Sequence, residues 1–564
     1  MVAVALLLAA LAGRTLYGLS MPFWFEDERQ VFLIGLRSFA RGEWPYFGAD
    51  VVWTGGQLPG ALQAMLVRWP LAAWPAPEAP FILLNLLSWS TLGLFAWYLC
   101  RRLPQVPRWL VWGALFTLPW TLNFSTHLIN TSFVLPGAIL FFIGFLEGMP
   151  LLSRRIVPFT LAWALMGAGL LFVAQIHMSW VLLPPYVIAA AAGVLAGRAE
   201  LLPRSRNRLI VTAPLAFVAG AAAIGWLLVP TLARYGLDAG TGGGVLHFDP
   251  QSPAGLVTTA ARMLSFVSFE TNRFLGMSSA ERIVLLARLP WLVPFVVVVT
   301  IAGVWQPIWM ALSLFRRATI DRADWIHVRA LWAATVVLVY VSYFFSIRGP
   351  QAHAFYVVFP VAMLFAGTCW EVWSRAAGVR WRRWERVAAV ILACGIVMHA
   401  GLAVDRWPRA SLYANRPVVA TAIHQRNDRL LGDRRDTIIE RQDHEPRVAD
   451  RVPDPAAFMS ARPENDLQLR GSTWRRGPFD VSIFDVSVTN RSAVTAWLDV
   501  RYETRYFGPE GQILASRQGV LKHIFEPGDT REWTAIADDF VPSGASSATL
   551  IITGAERAIP IRHN

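Results

Sequence analysis

Charge is scarce in this sequence, and lysine is scarcer still. Of 564 residues, 16% are charged and 55% are hydrophobic, with a mean hydropathy of +0.42. That balance excludes an ordinary soluble enzyme of this length and describes a polytopic membrane protein. Lys522 is the single lysine, so nearly all positive charge is arginine. Cysteine is almost as rare: Cys100, Cys369 and Cys394 lie in or beside apolar runs without CxxC spacing, which removes a disulfide framework and a redox or zinc role. The chain has no HExxH, no repeated carboxylate pair and no Cys/His group at metal spacing, so no cofactor is called for. A net charge of +13 would suit nucleic acid, but the arginines gather in short loops between apolar runs. They mark topology, and no nucleic-acid partner is expected.

Long apolar runs are what the sequence has in abundance. A membrane helix needs about 20 largely apolar residues, and eleven stretches qualify: approximately 1–20, 79–100, 109–125, 132–148, 157–174, 178–197, 209–230, 290–314, 328–346, 354–373 and 387–404. The third and fifth are short enough for a re-entrant pair. Arginines follow every even-numbered run: Arg101 and Arg102, Arg154 and Arg155, Arg198 and Arg204, Arg316 and Arg317, and Arg375 and Arg380. Cytoplasmic loops carry such charge, so the N-terminus is expected inside and the C-terminus outside, in a bacterial inner membrane with the last domain periplasmic. The first run has no basic leader and no small-residue cleavage site, which argues against a signal peptide. Arg14 within it is expected to snorkel outward or to face a polar cavity.

Three regions outside the cytoplasm are then long enough for chemistry: from Met21 to about Pro77, from Thr231 to Leu289, and from Asp405 onward. In the first, "GGQLPGALQAMLVRWPLAAW" reads as an interfacial helix. The second opens on "GLDAGTGGGVLHFDPQSP", a loop without helical or strand period. Residues 405–465 read as a linker or loosely helical neck. From 466 to 564, alternating runs such as "FDVSIFDVSVTN" are separated by "TNRS", "GPEGQ", "EPGDT" and "PSGASS", the pattern of an immunoglobulin-like β-sandwich. The expected fold is thus mainly α, with a polytopic membrane domain over 1–404 and an extracytoplasmic β module that binds or positions.

The first outer region begins with "FWFEDERQVF", which sets Glu26, Asp27 and Glu28 at the mouth of the membrane, followed by "RGEWPYFGADVVWTGGQLPGAL". As a boundary cluster such charge would simply be solvated. If the segment is extended, Glu26 points away from Asp27, because neighbouring side chains alternate. Arg348, His353 and Tyr356 in "SIRGPQAHAFYVVFP" stand where the ninth and tenth runs meet the outer face. Interfacial anchoring is the plain use of such residues. His127 and Asn130 in "NFSTHLINTS" fall in an outer turn, His177 ends the fifth run, and His247 lies in "LHFDP", whose Asp-Pro is a turn former.

The acidic motif in the first outer loop, the following amphipathic segment and "RGEWPYFG" resemble the GT-C membrane glycosyltransferases. That group includes protein O-mannosyltransferases, aminoarabinose transferases and RgtA-like enzymes. The resemblance implies that Asp27 and Glu28 lie at an active site, with Asp27 taking the acceptor's proton and Glu28 orienting it. It implies a polyprenyl-phosphate sugar donor, transfer with inversion, and a periplasmic glycan, lipid or protein acceptor, with membrane lipid around the chain. The leaving phosphate needs cationic donors; Arg348, His353 and Tyr356 are the first candidates, with Arg262 and Arg273 behind them. Gln57, Asp50, His127, Asn130 and His247 are candidates for the acceptor or the cavity wall. The aminoarabinose branch carries Lys-Pro-Pro after its acidic motif, whereas "TGGQLPGAL" has no lysine, so either phosphate binding falls to arginine or the donor differs. Some members of the wider superfamily use a divalent cation, and that point stays open. A transporter or flippase of lipid-linked sugars is the alternative, but the apolar runs hold few central acids and show no repeated halves. A non-catalytic envelope-binding protein is the third reading.

Overall fold

The computed structural model describes residues 2–20, 26–51, 56–149, 152, 154–196, 206–236, 248–270, 272–276, 278–316, 322–345, 352–377, 381–407, 411–428, 452–477 and 480–558. The chain divides into two compact units. One comprises Met1–Phe23, Ile34–Thr271 and Phe295–Arg416; the other comprises Trp24–Leu33, Asn272–Pro294 and Pro417–Asn564.

The chain opens with α1 (Val2–Ser20) and α2 (Glu26–Arg41). A small hairpin of β1 (Phe47–Val51) and β2 (Gly56–Pro59) follows, then α3 (Leu62–Ala73). The next helices are α4 (Ala79–Arg102), α5 (Arg108–Thr117), α6 (Pro119–Asn123), α7 (Val134–Gly148), α8 (Phe159–Ala174) and α9 (Pro184–Leu195). After them come α10 (Arg206–Gly225) and α11 (Val229–Tyr235), and then α12 (Pro253–Ser265), α13 (Asn272–Leu275) and α14 (Ser279–Arg288). The last apolar helices are α15 (Val293–Ser313), α16 (Arg322–Ser342), α17 (Phe359–Ala377) and α18 (Arg382–Arg406), followed by α19 (Ser411–His424).

Seven helical stretches among the described residues are long and apolar enough to cross a membrane. They become eight if α10 and α11, bent by 78° at their junction, count as one span. The chain is a multi-pass membrane protein, but among the described residues the expected count of eleven is not reached. The first and fifth runs form shorter apolar helices, Ala5–Ser20 and Phe159–Ala174. The third does not form a continuous helix at all. Leu118 precedes Pro119, whose ring disfavours helical backbone in the residue before it. Leu118 accordingly takes ψ 141° and splits the run into α5 and α6.

The span Asn130–Gly148 is 94% buried and Pro290–Ser313 only 22%, so α7 is a central helix and α15 a peripheral one. Small residues let the central helices approach closely: a Cβ on Gly144 would stand 2.4 Å from the Ala162 carbonyl oxygen of α8. Where α4 and α7 reach the arginine-rich loops, Glu147 is buried and receives Arg102 and the Tyr98 hydroxyl (2.8 Å) on one oxygen. Its other oxygen takes the backbone N–H groups of Ile156 (2.7 Å) and Val157 (3.2 Å).

In the second unit, alternation does what the sequence pattern demands. Six strands, β3 (Leu467–Arg476), β4 (Val481–Asn490), β5 (Ala496–Phe507), β6 (Ile513–Phe525), β7 (Thr530–Phe540) and β8 (Ser547–Ala558), form two antiparallel sheets in the orders β3-β4-β7 and β6-β5-β8. Phe484, Val486, Trp497, Tyr502, Leu521 and Leu550 share one apolar cluster. The expected turns hold Gly511 at φ 80° and Gly528 at φ 78°, conformations that favour glycine. The segment before α15 also contributes here: Ala280, Ile283 and Val284 of α14 pack on Val481 and Ile483 of β4.

Candidate functional site at a broken helix

The break in the third run leaves the Phe116 and Thr121 carbonyls without helical partners, as helix C-termini always do. Arg14 fills both places. Its Nη1 donates to Phe116 O (2.9 Å), and its Nη2 donates to Thr121 O (3.0 Å) and Ser125 Oγ (2.6 Å). The side chain is 2% exposed, so the expectation that it snorkels to the surface is corrected. Two helix C-termini offer partial negative charge in place of a carboxylate. Among the described residues no acid pairs with Arg14, and its Nε has no hydrogen-bond partner. One turn further along α1, Tyr17 donates to Asn123 Oδ1 (3.0 Å), its ring lies 5.6 Å from that of His399, and Arg406 stands beside it.

The same broken run carries Trp120, which is fully buried. Its ring stacks on Tyr356 (5.9 Å, 28°) and Phe124 (5.0 Å, 21°) and meets Phe266 edge-on at 4.7 Å. Its indole N–H donates to Glu270 Oε2 (3.3 Å), and the other oxygen of Glu270 receives Arg262. Two residues nominated from sequence, Arg262 and Tyr356, are therefore joined through two that were not, Glu270 and Trp120. The Tyr356 hydroxyl is buried and has no partner among the described residues.

His127 is 2% exposed, and burial pushes its pKa down to about 3, with Arg406 adding to the shift. It is a neutral imidazole at any physiological pH. His177 behaves alike: burial lowers it to about 3, and the nearby His353 contributes. Its Nδ1 accepts the Ser179 N–H at 3.1 Å. Asn130 turns its side-chain oxygen onto the Thr131 N–H (2.7 Å), a local backbone role.

The hairpin pairs Asp50 with Gln57. Gln57 is half-buried, and Asp50's side chain lies outside the described residues. Gln63 of α3 accepts the Ala49 N–H at 2.7 Å. Gly60, at φ +110°, lies so close to Gln175 that a Cβ would sit 2.4 Å from its Oε1. The hairpin base is thereby fixed against the end of α8.

The acidic motif is not extended. Glu26, Asp27 and Glu28 open α2, where acids are favoured by the helix dipole, and helical geometry cancels the expected alternation of Glu26 against Asp27. Glu28 is 2% exposed; the side chains of Glu26 and Asp27 lie outside the described residues. So does the side chain of Arg273, whose backbone is in α13. Arg348 and His247 lie wholly outside them. Among the described residues no group of three or more His, Cys, Asp or Glu side chains is placed to hold a metal. Sequence reasoning missed Glu270 because "SFVSFETNRF" has no period. The Leu-Pro step at 118–119 was the available signal for the split helix that Arg14 caps.

No protein-family model matches the chain, and no curated protein matches its sequence. Among solved structures it is similar to ArnT from Cupriavidus metallidurans in the apo state, with 14% identity, TM-score 0.40, and coverage of 82% of this chain and 81% of that one. ArnT of the same organism bound to undecaprenyl phosphate gives 15% identity, TM-score 0.39, and coverage of 82% and 81%. The arabinosyltransferase EmbB from Mycobacterium smegmatis gives 12% identity and TM-score 0.40, covering 99% of this chain and 64% of that one.

Proposed function

We propose that the protein is a membrane glycosyltransferase that takes a sugar from a polyprenyl-phosphate-linked donor and passes it to an acceptor outside the cytoplasm. The observation that carries this reading is the gathering of Arg262, Glu270 and a Tyr356 hydroxyl, unpartnered among the described residues, around Trp120 in the broken run whose carbonyls Arg14 caps. A buried arginine without a carboxylate favours an anion nearby, and a phosphate-linked donor brings one.

In the reaction, an acceptor oxygen or nitrogen attacks the anomeric carbon as the bond from that carbon to the phosphate oxygen breaks. The electron pair leaves on the phosphate, and the acceptor's proton goes to a carboxylate, which we assign to Asp27 with Glu28 orienting it. Arg262, Tyr356 and His353 receive the leaving phosphate, with Arg348 and Arg273 in reserve. Asp50, Gln57, His127, Asn130 and His247 serve the acceptor side. The membrane domain would span 1–404 in the bacterial inner membrane, with a neck over 405–465 and a periplasmic β module over 466–564.

The test is sugar transfer in membranes carrying the wild type or Asp27→Asn, supplied with labelled polyprenyl-phosphate sugars and an envelope extract. Asn keeps the shape but takes no proton. Transfer by the wild type alone, at equal expression, supports the reading. Equal transfer by both removes Asp27 as the base, and no transfer by either removes the reaction.

A further inference from the structure

We propose that Glu270 is a positioning residue that holds the Arg262 guanidinium with its free edge turned to the donor phosphate; this rests on the glycosyltransferase reading. An arginine and a glutamate eight residues apart would ordinarily be a solvated pair of little consequence. Three observations separate this one from that case.

The first is the indole. Glu270 spends its second oxygen on Trp120 Nε1, and Trp120 is the fully buried ring stacked on Tyr356. The carboxylate is therefore anchored to the ring on which Tyr356 stacks.

The second is the clamp on the backbone. The turn from Phe266 to Glu270 has no regular hydrogen-bond ladder, yet it is fixed on several sides. Gln306 Nε2 of α15 donates to Val267 O at 2.7 Å. A Cβ on Gly303 would lie 2.7 Å from Phe269 O, and one on Gly395 of α18 would lie 2.8 Å from the Phe269 ring. Two helices approach this turn at positions where only glycine leaves room.

The third is the division of exposure. Glu270 is 19% exposed and Arg262 37%, so the acid is the held end and the guanidinium the open one. Glu270 takes one Nη1 hydrogen bond, and among the described residues no other group accepts from the guanidinium. The planar fork keeps its remaining N–H groups for an incoming anion, and fixing its orientation beforehand removes the ordering cost from the binding step.

The test uses the purified full chain in lipid nanodiscs, with labelled decaprenyl phosphate as the binding probe and the transfer assay alongside. Glu270→Gln should weaken probe binding about tenfold, and Arg262→Lys should do the same. The double variant should be no weaker than Arg262→Lys, because the two act through one guanidinium. Glu270→Asp should restore part of the loss, and in transfer the donor KM should rise more than kcat falls. Wild-type binding by Glu270→Gln, or effects that add as independent sites do, overturns the proposal. If Glu270→Gln does not fold, Arg262→Lys on its open side chain decides alone, and unchanged binding overturns it. A wild type that neither binds the probe nor transfers sugar removes the functional reading itself. A wild type that does both, with Glu270→Gln unchanged, removes this inference alone.

Discussion

Two of the buried charges in the helical unit, Glu147 and Arg14, are treated differently. Near the arginine-rich loops, Glu147 uses both oxygens on four donors: Arg102, Tyr98, Ile156 and Val157. At the other helix ends, Arg14 is buried on carbonyls and a hydroxyl with no acid among the described residues, and the Tyr356 hydroxyl has no partner. A buried carboxylate whose two oxygens meet four donors fixes one structure. A buried cation beside an unused donor leaves capacity for an anion to fill. The first arrangement suits a structural lock, and the second suits the proposed anion site.

The comparison breaks most sharply at Glu147. Replacing it with Ala strands Arg102 as a buried, uncompensated charge and should cost about 3–5 kcal/mol of stability. Thermal unfolding in detergent checks this; an unchanged Tm would mean that the lock contributes nothing. Next in size is Arg14→Lys, which keeps the charge but loses the fork that reaches Phe116, Thr121 and Ser125 together. Losing one hydrogen bond to a charged group, at about 1.5–3 kcal/mol, should lower stability by less than the Glu147 change and, on the proposed function, weaken prenyl-phosphate binding.

A paired substitution sharpens the contrast. Tyr98→Phe removes a hydrogen bond to a buried carboxylate and should cost about 1–2 kcal/mol. Tyr356→Phe removes a hydroxyl that bonds nothing among the described residues, so stability should hold or rise slightly while sugar transfer falls. Equal behaviour of the two phenylalanine variants in both assays would erase the distinction.

The most gradual effect is on pH. His127 and His177 are each held neutral with a folded pKa of about 3 against an ordinary value near 6.5. Below about pH 6.5 the unfolded chain takes up protons that the folded chain refuses, so stability falls as pH drops toward 3 and is flat above that window. The slope is at most about 1.4 kcal/mol per pH unit for each group. His127→Gln should flatten the unfolding curve over that window, and an unchanged slope would show that His127 is not buried neutral.

Much of this was legible in one dimension. Long apolar runs and the arginines that follow them mark a multi-pass chain, and the runs at 79–100, 132–148 and 387–404 correspond to Ala79–Arg102, Asn130–Gly148 and Arg382–Arg406. The run at 109–125 misled because hydropathy ignores backbone sterics: Leu118 and Pro119 are apolar enough to count toward a span, yet they end a helix. Of the cluster around Trp120, two members were named from sequence. Tyr356 was among the first phosphate-binding candidates at the start of a late apolar run, and Arg262 a weaker one in a long loop. Their link through Glu270 and Trp120 spans up to 236 residues, from Trp120 to Tyr356.

By itself, then, the sequence determined which segments are apolar enough for a membrane and which alternate as strands, because those are periodic properties of neighbours along the chain. Only the tertiary structure decided that Arg14 caps a helix broken a hundred residues later, and that a tryptophan indole holds the carboxylate beside Arg262. Such contacts follow from how helices pack side by side, and packing brings together residues whose separation in sequence carries no period to read.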